Sequence, residues 1–123
     1  MSAFEHLDGI GPQLLAKGYV ARAVHGEGIT LAVVEIKPGA ELPEHPHENE
    51  QLGMVFEGSV RFRVGDEQRT LGPGWVWRIP SDTPHTVTGG NEGALVIDGF
   101  SPARDEWTTI DRPATRPASW PRH

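Results

Sequence analysis

Glycine and proline punctuate this chain more heavily than anything else in it: 15 Gly and 11 Pro are spread through 123 residues. They bound short runs rich in valine, isoleucine, phenylalanine and tryptophan, the pattern of many strands at regular spacing in an all-β domain. Strand-like runs fall at residues 20–24, 29–36, 45–47, 51–57, 59–64, 68–71, 75–79, 85–88 and 94–100. Eight or nine such strands suit a jelly-roll barrel. Glu57 with Gly58 and Gly65 with Asp66 are expected to form tight hairpin turns, 72–74 and 81–84 wider turns, and 89–93 a permissive loop. At this length a single domain buries roughly two-thirds of its unfolded surface. Residues 1–18 are read as an N-terminal arm with at most a short helical turn over 13–16, residues 19–100 as the barrel, and 101–123 as a Pro-rich tail. Trp107 and Trp120 in that tail are poor residues to leave in water, so the tail is expected to pack on its own barrel or on a partner subunit.

Within this frame His45, His47, Gln51 and His85 stand out as metal ligands. In a strand, His-x-His puts both imidazoles on one face with Cα atoms ~6.5 Å apart, close enough for one ion to bridge them. Gln51 follows where an extended run begins, and His85 opens another run after a proline-containing turn. Imidazoles with an amide oxygen suit one divalent transition ion: Mn, Fe, Ni, Co or Zn. By strand alternation, a Gln51 that faces the ion shares its side with Gly53 and Val55 and sends Leu52, Met54 and Phe56 to the other. Trp75, Trp77 and Ile79 share one face of their run, and alternation alone leaves open whether that face is lumenal.

The motif extends beyond the ligands. Gly39, five residues, His45-x-His47, three residues, Gln51, six residues and Gly58 form one block; Gly74, five residues, Pro80, then Asp82, Pro84 and His85 form a second. From about Val20 to Phe100 the chain resembles the cupin superfamily, whose two motifs have this layout, and the resemblance implies a single-domain cupin jelly roll, a double-stranded β-helix barrel. In two places the chain departs from the pattern: Gln51 stands where the family more often has Glu, and Gly89 where an Asn often closes the second motif. Three imidazoles and an amide leave a divalent ion's charge uncompensated, which makes it the stronger Lewis acid.

A second constellation follows the second motif: Asp98, Phe100 and Arg104 in the run Asp-x-Phe-Ser-Pro-x-Arg. A carboxylate near a Lewis acid serves as a base, and an arginine clamps a substrate carboxylate through two hydrogen bonds. The structural alternative is an ordinary Asp98–Arg104 ion pair with Phe100 capping the core. This ending is similar to that of the small cupins of pectin and alginate breakdown, which help convert unsaturated uronates into linear keto sugars. That resemblance implies Asp98 and Arg104 as catalytic residues and Phe100 with Arg104 as substrate-binding. A quercetinase-type dioxygenase and a non-catalytic metabolite-binding or regulatory module are the rival readings.

Charge and composition narrow the partners. A net charge of −6 argues against a nucleic-acid surface, which needs clustered Lys and Arg. Arg61, Arg63 and Arg69 are interleaved with Asp66 and Glu67 and read as a solvated strand face. There is no cysteine, so disulfides and thiolate metal sites are unavailable. No apolar stretch reaches the ~18 residues of a membrane span, and the first residues lack a basic and apolar leader pattern. A soluble cytoplasmic protein, homodimeric and acting on a small molecule, is expected.

Overall fold

The structure, a computed structural model, describes residues 2–121, with Glu44 and His45 described by their backbone alone. Among the described residues, eight strands make up the fold: β1 (Gln13–Ala16), β2 (Tyr19–His25), β3 (Thr30–Ile36), β4 (Glu41–His45), β5 (Glu50–Val64), β6 (Glu67–Leu71), β7 (Val76–Ile79) and β8 (His85–Ser101). All the pairings are antiparallel, in the order β1-β2-β3-β8-β5-β6, with β4 added to β8 and β7 to β5. This is the expected all-β jelly roll.

The 15-residue β5 and 17-residue β8 are its spine. They pair from Glu50 opposite Ser101 to Val64 opposite His85, with bulges between Val55 and Glu57 and between Gly58 and Val60. One half of this ladder is flanked by β3 and β7, the other by β4 and β6. One expected turn and one expected loop are therefore absent. Glu57 and Gly58 lie inside β5, and residues 89–93 lie inside β8. The glycines there serve close approach of backbones: a Cβ on Gly58 would strike the Gly93 carbonyl, one on Gly89 the Lys37 carbonyl and one on Gly90 the Ser59 side chain. Gly58 also has φ +76, which with the bulges bends β5 without ending it. The hairpin at Gly65 and Asp66 forms as expected between β5 and β6, with Gly65 at φ +59.

The helical turn expected over 13–16 is instead strand β1, paired to β2 at Gln13–Ala21 and Leu14–Val20. Tertiary contact decides this: Gln13 is buried, and its amide donates to the carbonyls of Trp107 and Ile110 at 2.9 and 3.1 Å. A short 3-10 turn does occur earlier, at Leu7–Gly9.

Inward residues of every layer meet in one core that includes Tyr19, Ala21, Val34, Ile36, Val55, Val60, Phe62, Trp77, Ile79, Val87 and Val96. The buried Tyr19 hydroxyl donates to the Val87 carbonyl at 2.7 Å, linking β2 to the β8 half that carries β4. The tail packs on its own barrel. Trp107 is buried beside Phe100, Trp120 stacks on Phe56, and the buried Arg22 guanidinium donates to the carbonyls of Arg116 and Pro117.

Candidate active site

The alternation read from the sequence holds at the start of β5. Gln51 and Val55 are buried while Leu52 is exposed. It also resolves the tryptophan strand: Trp77 and Ile79 face inward, Val76 and Arg78 outward. Inside lies a cavity of about 420 Å³, walled by Val34, Ile36, Phe62, Trp77, Val87 and Val96 and carrying His47, Gln51, His85, Asp98, Phe100 and Arg104.

Three of the four expected ligands converge there. Gln51 is the second residue of β5, and His85 opens β8 opposite Val64 on one side and His45 on the other. His47 reaches in from the segment between β4 and β5, with its ring centroid 4.9 Å from that of His85 and edge-on to it. The His45 backbone pairs with His85, so the chain brings that residue to the same strand end; its side chain lies outside the described residues. Among the described residues no three His, Cys, Asp or Glu side chains form a ligand set, and the described donors are two imidazoles and one amide.

Backbone carbonyls orient both rings. His47 Nδ1 lies 2.9 Å from the Asn49 carbonyl and His85 Nδ1 lies 2.9 Å from the Thr83 carbonyl. A carbonyl only accepts, so Nδ1 carries the hydrogen and the neutral ring's lone pair is on Nε2, as metal-ligating histidines require. Gln51 is oriented in the same way. Its Nε2 donates to Asp98 Oδ1 at 2.8 Å, which turns Oε1 toward His47 Nε2 at 3.1 Å. Two lone pairs then face each other, and this is repulsive unless the ring takes a second proton or a cation lies between them. The spacing fits a cation: two donors ~2.1–2.2 Å from one ion and ~90° apart at it are ~3.0–3.1 Å from each other. The residues present thus suit a divalent transition ion.

Asp98 sits behind the amide, buried, accepting on one oxygen from both Gln51 Nε2 and Trp77 Nε1 at 2.8 Å. Burial pushes its carboxyl up from 3.8 to about 6, against the two hydrogen bonds and the Arg104 charge, which all lower it. Arg104 does not make the ordinary ion pair with Asp98. Its Nε donates to the exposed carboxylate of Glu106, and its guanidinium packs over the rings of Phe100 and Trp107 at 4.8 and 4.6 Å from their centroids. Phe100 also meets the His47 ring edge-on at 5.9 Å, so it joins the arginine to the ligand cluster.

Sequence reasoning missed the supporting residues: Asn49 and Thr83 through their carbonyls, Trp77 as an Asp98 donor, and Thr30, whose Oγ1 accepts from the Arg104 backbone N–H at 2.8 Å. Only Trp77 had left a signal, through its place on an alternating strand. The others act through backbone atoms or over long sequence separations that no local pattern marks.

A jelly roll with a histidine-bearing cavity at one end of its two long strands is the architecture of a cupin. The cupin domain model matches residues 32–99, more than half of the chain, and the chain belongs to this family. It is similar to the oxalate decarboxylase OxdC of Bacillus subtilis, 32% identical over 101 residues that cover 71% of this chain and 26% of that enzyme, so it spans about a quarter of that relative's length. The pectin degradation protein KdgF of Dickeya dadantii is 28% identical over 82 residues, covering 66% of this chain and 74% of that protein. Among solved structures, KdgF from Halomonas sp. superimposes with a TM-score of 0.79 at 29% identity, covering 86% of this chain and 98% of that one. An RmlC-like cupin from Shewanella frigidimarina shares the fold, with a TM-score of 0.80 at 22% identity over 87% of this chain and 96% of that one.

Proposed function

We propose that this protein is a divalent-metal-dependent cupin enzyme acting on an unsaturated uronate or a related small sugar acid, by ring opening or tautomerisation. The observation that carries the reading is the His47 Nε2 and Gln51 Oε1 pair, 3.1 Å apart and backed by Asp98, in a cavity that also holds Arg104. His45, His47, Gln51 and His85 would hold the ion, which when bound supplies Lewis acidity toward a carbonyl oxygen. Asp98 has one oxygen engaged by Gln51 and Trp77, and its second oxygen moves the proton. Arg104, stacked on two rings, keeps its terminal nitrogens for a carboxylate. Phe100 is a wall for the substrate beside His47. The similarity to two KdgF proteins, one named for pectin degradation, supports the uronate, and the similarity to an oxalate decarboxylase supports a carboxylate ligand in general.

The apolar cavity walls also favour a second reading, a quercetinase-type dioxygenase with a flat substrate. We place it second because Asp98 and Arg104 have no part in it. A homodimer is part of the proposal: Val24, Leu31 and Leu52 are exposed and fall in one row across β2, β3, β8 and β5, since Val24 pairs with Leu31, Leu31 with Gly99, and Gly99 with Leu52. The deciding experiment combines elemental analysis of the purified protein with turnover of unsaturated galacturonate and oxygen uptake with a flavonol. Metal with uronate conversion supports the first reading. Oxygen uptake alone moves the assignment to the dioxygenase, and neither activity leaves a non-catalytic cupin.

A further inference from the structure

Asn49 is a buried polar residue outside the expected site, and it touches both ends of that site. It is 3% exposed and lies between β4 and β5, one residue before the last rung of the long ladder, Glu50 opposite Ser101. Its carbonyl holds His47 Nδ1 at 2.9 Å. Its side-chain Nδ2 donates to the Pro102 carbonyl. Where backbone pairing between β5 and β8 stops, this amide adds one further link. Pro102 is two residues before Arg104, whose own N–H is fixed on Thr30 Oγ1 at 2.8 Å and whose guanidinium lies over the rings of Phe100 and Trp107. One residue therefore holds a candidate ligand through its main chain and the arginine turn through its side chain.

We propose that Asn49 is a positioning residue that fixes the spacing between His47 and Arg104, and thereby the length of acid that reaches both. The inference rests on the carboxylate role given to Arg104. It separates two tasks that a buried asparagine combines. The carbonyl task survives any substitution that keeps the backbone in place, whereas the amide task needs a donor at this reach. Aspartate has nearly the same shape and no donor, and it would set a carboxylate oxygen against the Pro102 carbonyl.

The test is Asn49→Asp, with Asn49→Ala as the substitute should the first fail to fold. Hydrogen exchange at the Arg104 amide should quicken about tenfold, while the Ala32 and Val34 amides of β3 keep the parent rates, the signature of local rather than global opening. Metal content should stay at the parent value. KM for unsaturated galacturonate should rise about tenfold with kcat within about threefold, the range expected when an outer support of a site is removed. In an Arg104→Lys background the same change should add less than about twofold to KM, because the two residues act through one arrangement. Equal acceleration at Arg104 and in β3, or KM effects that multiply in the double variant, would overturn the proposal by showing Asn49 to be a general stabiliser. If the parent turns over no uronate, the substrate reading fails, and the exchange measurement alone decides the positioning role.

Discussion

Gly53 sits opposite Asp98 on one side and opposite Trp77 on the other, in the middle of the three strands that carry the site. The Trp77 Nε1 to Asp98 Oδ1 hydrogen bond, 2.8 Å, passes over it. A Cβ at position 53 would approach Asp98 Oδ1 and two atoms of the Trp77 indole to well inside 3.0 Å. Neither neighbour can yield cheaply: Trp77 and Asp98 are both 7% exposed, and Trp77 packs against Phe62 with ring centroids 4.7 Å apart. Gly53→Ala therefore breaks a buried hydrogen bond to a carboxylate, which costs about 1.5–3 kcal/mol, and overpacks the cavity wall for about 1–3 kcal/mol more. Against this, alanine restricts the unfolded chain and returns about 0.4–1 kcal/mol. The net destabilisation is about 2–5 kcal/mol, a fall in Tm on the order of 8–20 °C for a domain of this size. Gly99→Ala is the matched control. Gly99 lies on the neighbouring β8 opposite Leu52, and its added Cβ would meet nothing closer than the Leu52 carbonyl oxygen at 3.9 Å. Thermal melts followed by circular dichroism, with tryptophan fluorescence as a second probe of the Trp77 environment, compare the two variants with the parent. A Gly53→Ala protein melting within about 3 °C of both would refute the claim that the bare Cα at 53 is what lets Trp77 reach Asp98.

Four further outcomes are expected. His47→Ala should lose most of its metal by elemental analysis and also lose the metal-dependent part of its Tm, since an ion that binds the folded state stabilises it by mass action. Gln51→Glu should hold the ion at least as tightly, because a carboxylate cancels one unit of its charge, while turnover falls; tighter binding with unchanged turnover would show that Lewis acidity does not limit the rate. Asp98→Asn keeps an oxygen that accepts from Gln51 and Trp77, so metal content and fold should survive while uronate turnover is lost; a loaded variant working at the parent rate removes Asp98 as the proton carrier. Leu31→Lys should convert a dimer to monomer by light scattering after size-exclusion chromatography, and an unchanged mass would place any interface elsewhere.

The residues legible in the sequence were those whose chemistry is written locally. Two-residue periodicity put Gln51 with Val55 on one face and Trp77 with Ile79 on one face, because a strand repeats its side chains every second residue, but that those faces are inward is decided by the packing of the strands on one another. Gly65 with Asp66 was read correctly as a hairpin, because two residues between strands need a backbone that glycine allows. The same reasoning failed at Gly58 and at 89–93, where glycine answers a different demand. There it admits a neighbouring backbone, and the strands run on through it. Glycine content alone does not tell these two uses apart, since both are steric and only one is local. The 13–16 segment failed for a related reason: its strand state depends on pairing with β2 and on carbonyls 94 and 97 residues away that receive the Gln13 amide.

The same division runs through the site. Histidine, glutamine, aspartate and arginine advertise themselves by type, yet what makes His47 and His85 suitable ligands is the nitrogen that each gives to a main-chain carbonyl, and every residue has a carbonyl. Arg104 shows the consequence most clearly. Its sequence neighbours leave two readings, a clamp on a substrate carboxylate or an ion pair with Asp98, and the fold gives its Nε to Glu106 and lays its guanidinium across Phe100 and Trp107. A guanidinium held by ring faces and one edge retains its charge and its remaining donors, which a bidentate partner would have consumed. An arginine seated in this way, with its Nε on the exposed carboxylate of Glu106, shares its cavity with an amide oxygen and an imidazole nitrogen spaced for one ion, and that arrangement is what supports the carboxylate role proposed for it.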